Sequence, residues 1–302
     1  LLDPETDSSW LASGPHDKIK EEKKDIPLPE NIFVNRKNSK GLDLTQAQEI
    51  EKLNAELQAF KDKKIHATSI YTGRDSKNTL SNKILSIADD SEIGSVDLDN
   101  TSEILECLNK NQSKDWSEKN VEERSDILKA IANDIETSPY ELIYFLMHEA
   151  GKTIYNAMDE IREAIDFLRY YSEEIIKIHN RDSILDGPTG EINTLSYSEK
   201  GHFLCISPWN FPVAILIGQI SAALACGNRV TVKPSEHTSI LGYLVIKKFH
   251  KHGVPVSALE LILGDGTYGD ALSNIKSIKG VAFTGSLNTA KKIQSNLINN
   301  HK

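Results

Sequence analysis

The stretch from His202 to Glu236, HFLCISPWNFPVAILIGQISAALACGNRVTVKPSE, decides the fold of this chain. It opens with an apolar run at His202–Ile206, continues through a helical stretch, and reaches a second apolar run at Val230–Val232. Two strands joined through a helix lie parallel in one sheet, because the chain must cross back over the sheet before the second strand begins. The stretch therefore predicts a strand–helix–strand unit.

The same alternation continues toward the carboxyl end of the chain. Further strands are predicted at Leu259–Leu263 and Val281–Phe283, again separated by helical stretches. Repeated alternation of this kind is typical of α/β proteins, in which helices cover both faces of a parallel sheet. We therefore predict a parallel α/β part over residues 191–302.

Residues 44–190 are predicted to be a mainly helical part. Asp43 is expected to cap a first helix, in which apolar residues recur at helical spacing over Leu44–Phe60. The segment Ser138–Glu141 has the pattern of a second helix start, with serine as the N-cap, proline in the first turn and glutamate completing the cap. A longer helix is predicted through Ala157–Ile175.

The amino-terminal residues have the features of a linker. Residues 1–43 mix Pro, Gly and Ser with a dense charge run at His16–Asp25, and they have no apolar period. The segment Ile26–Pro29 favours an extended backbone, because each proline fixes its own φ and restrains the residue before it. We predict a strap that lies on a surface. Since the sequence begins at Leu1, without an initiator Met or a signal pattern, we expect it to be cut from a longer chain.

Composition and charge exclude several classes of protein. The net charge of −9 repels the phosphate backbone of nucleic acids, and no nucleic-acid partner is predicted. The mean hydropathy of −0.38 and the lack of a long apolar stretch exclude a membrane span.

Cys107, Cys205 and Cys226 lie far apart without metal-ligand spacing, which favours a cytoplasmic protein without a metal site. Cys205 and Cys226 are both expected in the core.

The first candidate functional loop follows the first strand of the predicted sheet. It places Asn210 between Pro208 and Pro212, which stiffen the turn before a helix. A side-chain amide held in this way can donate a hydrogen bond to a developing oxyanion. Alternatively, Asn210 caps the helix that begins near Pro212, and the loop alone supports both interpretations equally.

The second candidate loop follows the next strand. Lys233 and Glu236 place a cation and a carboxylate three residues apart, and both can bond to ribose hydroxyls. The alternative is a surface salt bridge, which is the commoner role of an isolated Lys and Glu pair.

Two further loops have the chemistry of phosphate sites. Gly264–Gly269 matches the pattern GxGxxG between a strand and a helix, although a simple turn is a serious alternative and no acidic residue follows at the usual distance. Phe283–Ser286, with the sequence FTGS, leads into a helix whose first amides can meet a pyrophosphate, and Ser286 is expected to act both as donor and as N-cap.

The order and spacing of these motifs resemble known families. Three segments resemble the aldehyde dehydrogenase superfamily, namely Pro208–Pro212, Lys233–Glu236 and Phe283–Ser286. Three more resemble the narrower family of proline utilization A, namely Glu149–Thr153, Glu160–Tyr171 and the strap Ile26–Leu44 with Arg36, Asn38, Ser39 and Gly41. The resemblance implies an aldehyde dehydrogenase-like fold with a Rossmann-type NAD-binding sheet.

The resemblance also implies an activity and partners. In that bifunctional family an FAD-dependent proline dehydrogenase domain makes 1-pyrroline-5-carboxylate, which hydrolyses to L-glutamate γ-semialdehyde for NAD-dependent oxidation to glutamate. The partners implied are this small aldehyde, the proline dehydrogenase domain of the same longer chain, and further copies in a homo-oligomer. The family's catalytic Cys, and the Glu that activates water, follow the FTGS segment beyond Lys302. This chain is therefore expected to be truncated before the catalytic domain and to be inactive alone.

The resemblance assigns roles to individual residues. Asn210 is the catalytic oxyanion donor, while Phe211 and Glu163 lie toward the aldehyde, Glu163 being alternatively a solvated helix residue. The expected cofactor-binding residues are Ile206, Ser207, Pro208, Trp209, Lys233, Ser235, Glu236, Gly266, Gly269, Gly285 and Ser286. The glycine loop is one residue shorter than the family pattern, which makes Gly269 the weakest assignment. Two other functions stay open, a dehydrogenase of another semialdehyde and a non-catalytic nucleotide-binding module.

Overall fold

The computed structural model describes residues 27–75, 79–180 and 184–300. The charge run His16–Asp25 and the start of the strap lie outside these residues. The described part of the strap begins with a short 3₁₀ helix at Pro29–Asn31 and is largely exposed. It is fixed at Ser39, which is fully buried and donates from its backbone N–H and its hydroxyl to the Asp166 carboxylate at 2.6 and 2.8 Å. The described part of the strap thus lies at the surface.

A small sheet follows the first helix. In chain order the elements are helix α1 (Ala47–Gln58) and strands β1 (Ile65–Thr68), β2 (Leu80–Leu85) and β3 (Glu92–Leu98). Strand β3 lies in the middle, parallel to β1 and antiparallel to β2. The helical description of residues 44–190 is therefore wrong for this part. Strand β2 could not be predicted, because its residues are mostly exposed and lack the apolar alternation of a half-buried strand.

Four helices follow, so the predicted helical character of this part is confirmed from Thr101 to His179: α2 (Thr101–Lys110), α3 (Val121–Thr137), α4 (Tyr140–His148) and α5 (Ile154–His179). Two of the predicted caps are wrong. Ser138 ends α3, with its N–H donating to Asp134 O, and Pro139 precedes α4 without a side-chain cap. Asp43 instead accepts hydrogen bonds from Thr45, and α1 begins only at Ala47.

The carboxyl-terminal part is the predicted parallel α/β unit. After a two-stranded ribbon of β4 (Ile184–Leu185) and β5 (Asn193–Thr194), the elements alternate: β6 (His202–Ile206), α6 (Ala214–Ala225), β7 (Arg229–Lys233), α7 (Ser239–Lys251), β8 (Leu259–Leu261), α8 (Gly266–Ser273), β9 (Ile278–Phe283) and α9 (Leu287–Asn300). The strand order is β8-β7-β6-β9 and every pairing is parallel. Strand β8 ends at Leu261, two residues before its predicted end.

The core lies where the helical part packs on this sheet. Helix α6 is almost entirely apolar because it is buried between the sheet and helices α3 and α5. Ile70 forms a backbone bridge to Leu261, which joins the segment after β1 to the edge strand β8. Cys205 is fully buried, as predicted, but Cys226 follows the last residue of α6 and is exposed, so its predicted core position is wrong. Among the described residues, no helix has the length and apolarity needed to cross a membrane.

Candidate functional site

Strand register places the candidate loops side by side. Ile206 at the end of β6 pairs with Lys233 at the end of β7 and with Phe283 at the end of β9. The contact continues beyond the strands, where Ser207 N donates to Lys233 O and Thr284 N donates to Ile206 O. In an open parallel sheet, the crevice at the carboxyl ends of the strands is the usual ligand site.

One cleft at this edge contains all the residues predicted to bind the cofactor. Its walls include Ile206, Ser207, Pro208, Trp209, Lys233, Ser235, Glu236, Gly266, Gly269, Gly285 and Ser286. Their contacts with a dinucleotide remain a prediction. Sequence reasoning missed other lining residues, namely His237, Asp270, Thr289, Lys292 and Ile293. Thr289 and Ile293 lie three and seven positions after Ser286, so the helical period of α9 could have placed them on the cleft side.

Lys233 is held deep in the cleft. Its side chain is 4% exposed, its Nζ donates to Pro234 O at 2.9 Å, and the same atom lies 3.9 Å from the Glu236 carboxylate. Burial lowers the pKa of Lys233, while the Glu236 and Asp265 carboxylates oppose the fall. Glu236 itself is half-exposed. The surface salt bridge offered as an alternative is therefore wrong for Lys233, whose ammonium is buried.

The glycine loop opens into helix α8. The Asp265 carboxylate caps this helix by accepting from Thr267 N at 2.8 Å, and its hydrogen bonds to Thr267 lower the pKa of Asp265. No heavy atom lies within 4 Å of the position that a Cβ on Gly266 would occupy. A Cβ on Gly269 would lie 3.4 Å from Lys233 Cδ, an ordinary van der Waals contact, so Gly269 packs beside the lysine side chain.

Helix α9 presents a different amino terminus to the same cleft. Ser286 caps it through a hydroxyl that accepts from Thr289 N at 3.2 Å, as predicted. A neutral hydroxyl leaves the positive end of the helix dipole uncompensated, whereas the Asp265 carboxylate already neutralises the end of α8. Of these two helix ends, α9 is the better site for an anionic group.

A buried hydroxyl in the cleft has no partner among the described residues. Ser207 is 4% exposed, and its Oγ makes no hydrogen bond there. An unsatisfied buried hydroxyl costs free energy, which a ligand with polar groups in the cleft would recover.

The loop with Asn210 borders the cleft and points into solvent. Trp209, Asn210 and Phe211 are all exposed. Helix α6 begins at Ala214, and its first amides donate to the Glu160 carboxylate rather than to Asn210. The helix-cap interpretation of Asn210 is therefore wrong, and its amide is left available to a ligand.

Glu163 lies away from the cleft. It is exposed on α5, and partial burial of its carboxyl together with the nearby Glu160 raises its pKa, while Lys152 opposes the rise. Its predicted role near the aldehyde, and the alternative of a solvated helix residue, both stay predictions.

The cysteines of the sequence do not have the environment of an activated nucleophile. Burial raises the pKa of Cys205 to about 12. Partial burial also raises the pKa values of Cys107 and Cys226. All three are free thiols, and each is held in the protonated, weakly nucleophilic form at neutral pH.

The pattern of the aldehyde dehydrogenase family matches residues 74–302, which is most of the chain. The chain belongs to the aldehyde dehydrogenase family. The match includes every residue that lines the cleft at the sheet edge.

Named relatives within this group lie in proline metabolism. The bifunctional protein PutA of Salmonella typhimurium is 34% identical over 95% of this chain, which corresponds to 20% of that protein. A 1-pyrroline-5-carboxylate dehydrogenase of Anoxybacillus flavithermus is 35% identical over 59% of this chain and 35% of that protein. The chain thus spans about one fifth of the length of the PutA relative.

Solved aldehyde dehydrogenase structures share the fold. Proline utilization A from Bdellovibrio bacteriovorus superposes with a TM-score of 0.82 at 26% identity, covering 90% of this chain and 28% of that one. The 1-pyrroline-5-carboxylate dehydrogenase from Thermus with bound NAD superposes with a TM-score of 0.80 at 27% identity, covering 88% and 52%. These matches confirm the predicted aldehyde dehydrogenase-like α/β fold.

Proposed function

We propose that this chain forms the NAD-binding part of an aldehyde dehydrogenase that oxidises L-glutamate γ-semialdehyde to glutamate in proline catabolism. The observation that carries the proposal is the single cleft at the carboxyl edge of the sheet, where all the predicted cofactor-binding residues meet. The names of the relatives, PutA and 1-pyrroline-5-carboxylate dehydrogenase, support the substrate. The NAD bound in the Thermus neighbour supports the cofactor.

The residues present fit a dinucleotide. Lys233 and Glu236 would hold the adenosine ribose, one as donor and one as acceptor. The amino terminus of α9 with Gly285 and Ser286 would hold the pyrophosphate, because this helix end carries no carboxylate cap. The unpaired Ser207 hydroxyl gives the cleft one more polar contact to offer.

The chain also supplies a group for the chemical step. When bound, NAD accepts the hydride that leaves the aldehyde carbon. Asn210 would donate its amide hydrogen to the aldehyde oxygen as negative charge develops there. A thiol from beyond Lys302 would make the attack on the aldehyde, since the pKa values of Cys107, Cys205 and Cys226 are all raised. The 302 residues alone are then expected to bind cofactor without oxidising aldehyde.

The proposal includes partners and a compartment. PutA relatives are named as bifunctional and are much longer than this chain, which supports a proline dehydrogenase domain, with its own FAD, elsewhere in the same protein. We include a homo-oligomer and a cytoplasmic location in the proposal, the latter because free, scattered thiols suit a reducing compartment.

Two measurements test the proposal. Calorimetric titration of the 302-residue chain with NAD should give saturable binding, and no binding at millimolar NAD would refute the cofactor site. NADH formation by the full-length protein should be faster with L-glutamate γ-semialdehyde than with other semialdehydes. A preference for another semialdehyde would change the substrate but keep the enzyme class. NAD binding without turnover of any aldehyde by the full-length protein would instead support a non-catalytic nucleotide-binding module.

A further inference from the structure

Two buried glutamates reach the amino termini of two helices in the parallel sheet. Glu149, which ends helix α4, is 3% exposed, and its two carboxylate oxygens accept from Ile240 N and Leu241 N, both at 2.8 Å. These amides belong to the first turn of α7. Burial raises the pKa of Glu149 to about 8, and the two backbone hydrogen bonds oppose that rise.

Glu160 makes the same kind of contact with the other helix. It is 1% exposed, and its Oε1 accepts from Val213 N at 2.7 Å and from Ala214 N at 3.1 Å, at the start of α6. Its Oε2 forms an ion pair with Lys152 Nζ at 2.7 Å. The same ammonium lies 4.2 Å from the centre of the Phe211 ring, next to Asn210.

Each of these helices follows one loop of the proposed site. Helix α6 begins at Ala214, directly after the loop with Asn210 and Phe211. Helix α7 begins at Ser239, directly after the short 3₁₀ turn Glu236–Thr238 of the ribose loop. The N-cap residues of both helices make no side-chain cap hydrogen bond. The first amides of a helix lack internal partners, so the two distant glutamate side chains, whose oxygens accept from them, replace the missing local caps.

We propose that Glu160 and Glu149 are positioning residues, each of which fixes one half of the site through the helix that it caps. Glu160, together with Lys152, fixes the loop of residues 207–212 that faces the aldehyde. Glu149 fixes the loop of residues 233–238 that faces the ribose. The roles assigned to the two loops rest on the proposed function, whereas the selective anchoring of the two helices does not.

A matched set of variants tests whether each glutamate fixes its own half of the site. Glu149→Gln keeps the size of the side chain but replaces one of the two accepting oxygens by an NH2 group that cannot accept. Glu160→Gln leaves a single accepting oxygen for the two amides of α6 and the Lys152 ammonium together, and it removes the negative charge that faces them. Glu260→Gln is the control, because Glu260 is also fully buried and hydrogen-bonded, to Arg229, Asn111 and Thr231, but does not line the cleft. Lys152→Met removes the ion pair of Glu160 while leaving both of its amide contacts.

Amide hydrogen exchange of the variants measures directly how firmly the start of each helix is held. Glu160→Gln should speed amide exchange at Val213 and Ala214 by tenfold or more and leave Ile240 and Leu241 near the wild-type rate, and Glu149→Gln should do the reverse. Glu260→Gln should speed neither pair selectively. Equal acceleration of both pairs in either variant would overturn the proposal, whether or not the chain binds NAD.

The Kd for NAD and kcat of the variants then measure how the anchoring of each helix affects the site. Glu149→Gln should raise the Kd for NAD by about tenfold, whereas Glu160→Gln should change it by less than threefold. In the full-length protein Glu160→Gln should lower kcat by tenfold or more, and Lys152→Met should lower it by a smaller factor. Glu260→Gln should lower the unfolding temperature without a selective effect on either constant. If the changes in Kd and kcat simply follow the loss of stability in all four variants, the two glutamates have a structural role only. If Glu160→Gln does not fold, Lys152→Met decides: faster exchange at Val213 and Ala214 than at Ile240 and Leu241, together with a lowered kcat, would support the proposal, and wild-type values of both would overturn it.

Discussion

Replacing Lys233 by Met should weaken NAD binding without destabilising the protein. Methionine keeps most of the length of the side chain and its packing against Gly269, but it removes the buried ammonium. The substitution thus separates the charge of Lys233 from its volume. Lys233→Ala, which removes both, is expected to lose stability as well, because it also deletes the buried methylene groups of the side chain.

The expected magnitude follows from the contacts of the ammonium. A hydrogen bond from a charged donor contributes about 1.5–3 kcal/mol. Its loss should raise the Kd for NAD by a factor of about 10 to 100. Stability changes in two opposing directions. Loss of the bond from the ammonium to Pro234 O costs about 1.5–3 kcal/mol, whereas removal of a desolvated ion recovers a penalty on the order of several kcal/mol, in line with the lowered pKa of Lys233. The unfolding temperature should therefore be unchanged or higher.

Calorimetry with NAD and thermal unfolding of the same preparation test this expectation. Lys292→Met is the matched control, because Lys292 lines the same cleft but is exposed and already paired with Asp270 at 3.1 Å. It should change the Kd for NAD by less than about threefold, as expected for an exposed ion pair. An unchanged Kd in Lys233→Met, or an equal change in both variants, would refute the assigned role of Lys233.

Three further predictions follow from the site and the core. The full-length protein should prefer NAD to NADP in kcat/KM, and Glu236→Gln should narrow that preference by roughly tenfold because the carboxylate repels a 2′-phosphate; equal use of both cofactors by the wild type would contradict this. Asn210→Ala should lower kcat by about a hundredfold with near-normal NAD affinity and thermal stability, since Glu160 and not Asn210 caps α6; near-normal kcat would leave Asn210 without a catalytic role. Burial lowers the pKa of His202 from 6.5 to about 3, so its contribution to stability is complete above pH 6.5 and is lost as the pH falls toward 3. Urea titrations between these values should show a slope of about 1.4 kcal/mol per pH unit that is smaller in His202→Gln, and an identical slope in the variant would show that another group is responsible.

The cleft could be located from the sequence because its residues are tied to strand ends. A strand followed by a helix fixes where a loop must lie in a parallel sheet, and each candidate motif began at the end of a predicted strand. The register of Ile206 with Lys233 and Phe283 then brought the motifs together. Local pattern and fold class were sufficient for this step.

The sequence was less informative where local signals were weak. Strand β2 is mostly exposed, and residues 65–98 were therefore absorbed into the helical part. Ser138 had the composition of an N-cap, yet α3 extends up to it and α4 begins at Tyr140 without its help. Cys226 sits one residue past a buried helix, where a shift of one position changes a core residue into an exposed one.

The capping glutamates show a different limit of sequence reasoning. Glu149 and Glu160 belong to segments that resembled the narrower family, but neither lines the cleft and neither has a local pattern that indicates a cap. Glu160 lies 53 residues from the amide of Val213, and Glu149 lies 91 residues from that of Ile240. Between the two glutamates the chain turns at Gly151, whose φ of +66° suits glycine. This turn lets a short segment send one carboxylate to α7 and the other to α6. The resemblance in these segments therefore has a physical reason that lies outside the cleft, in the support of the two loops that form it.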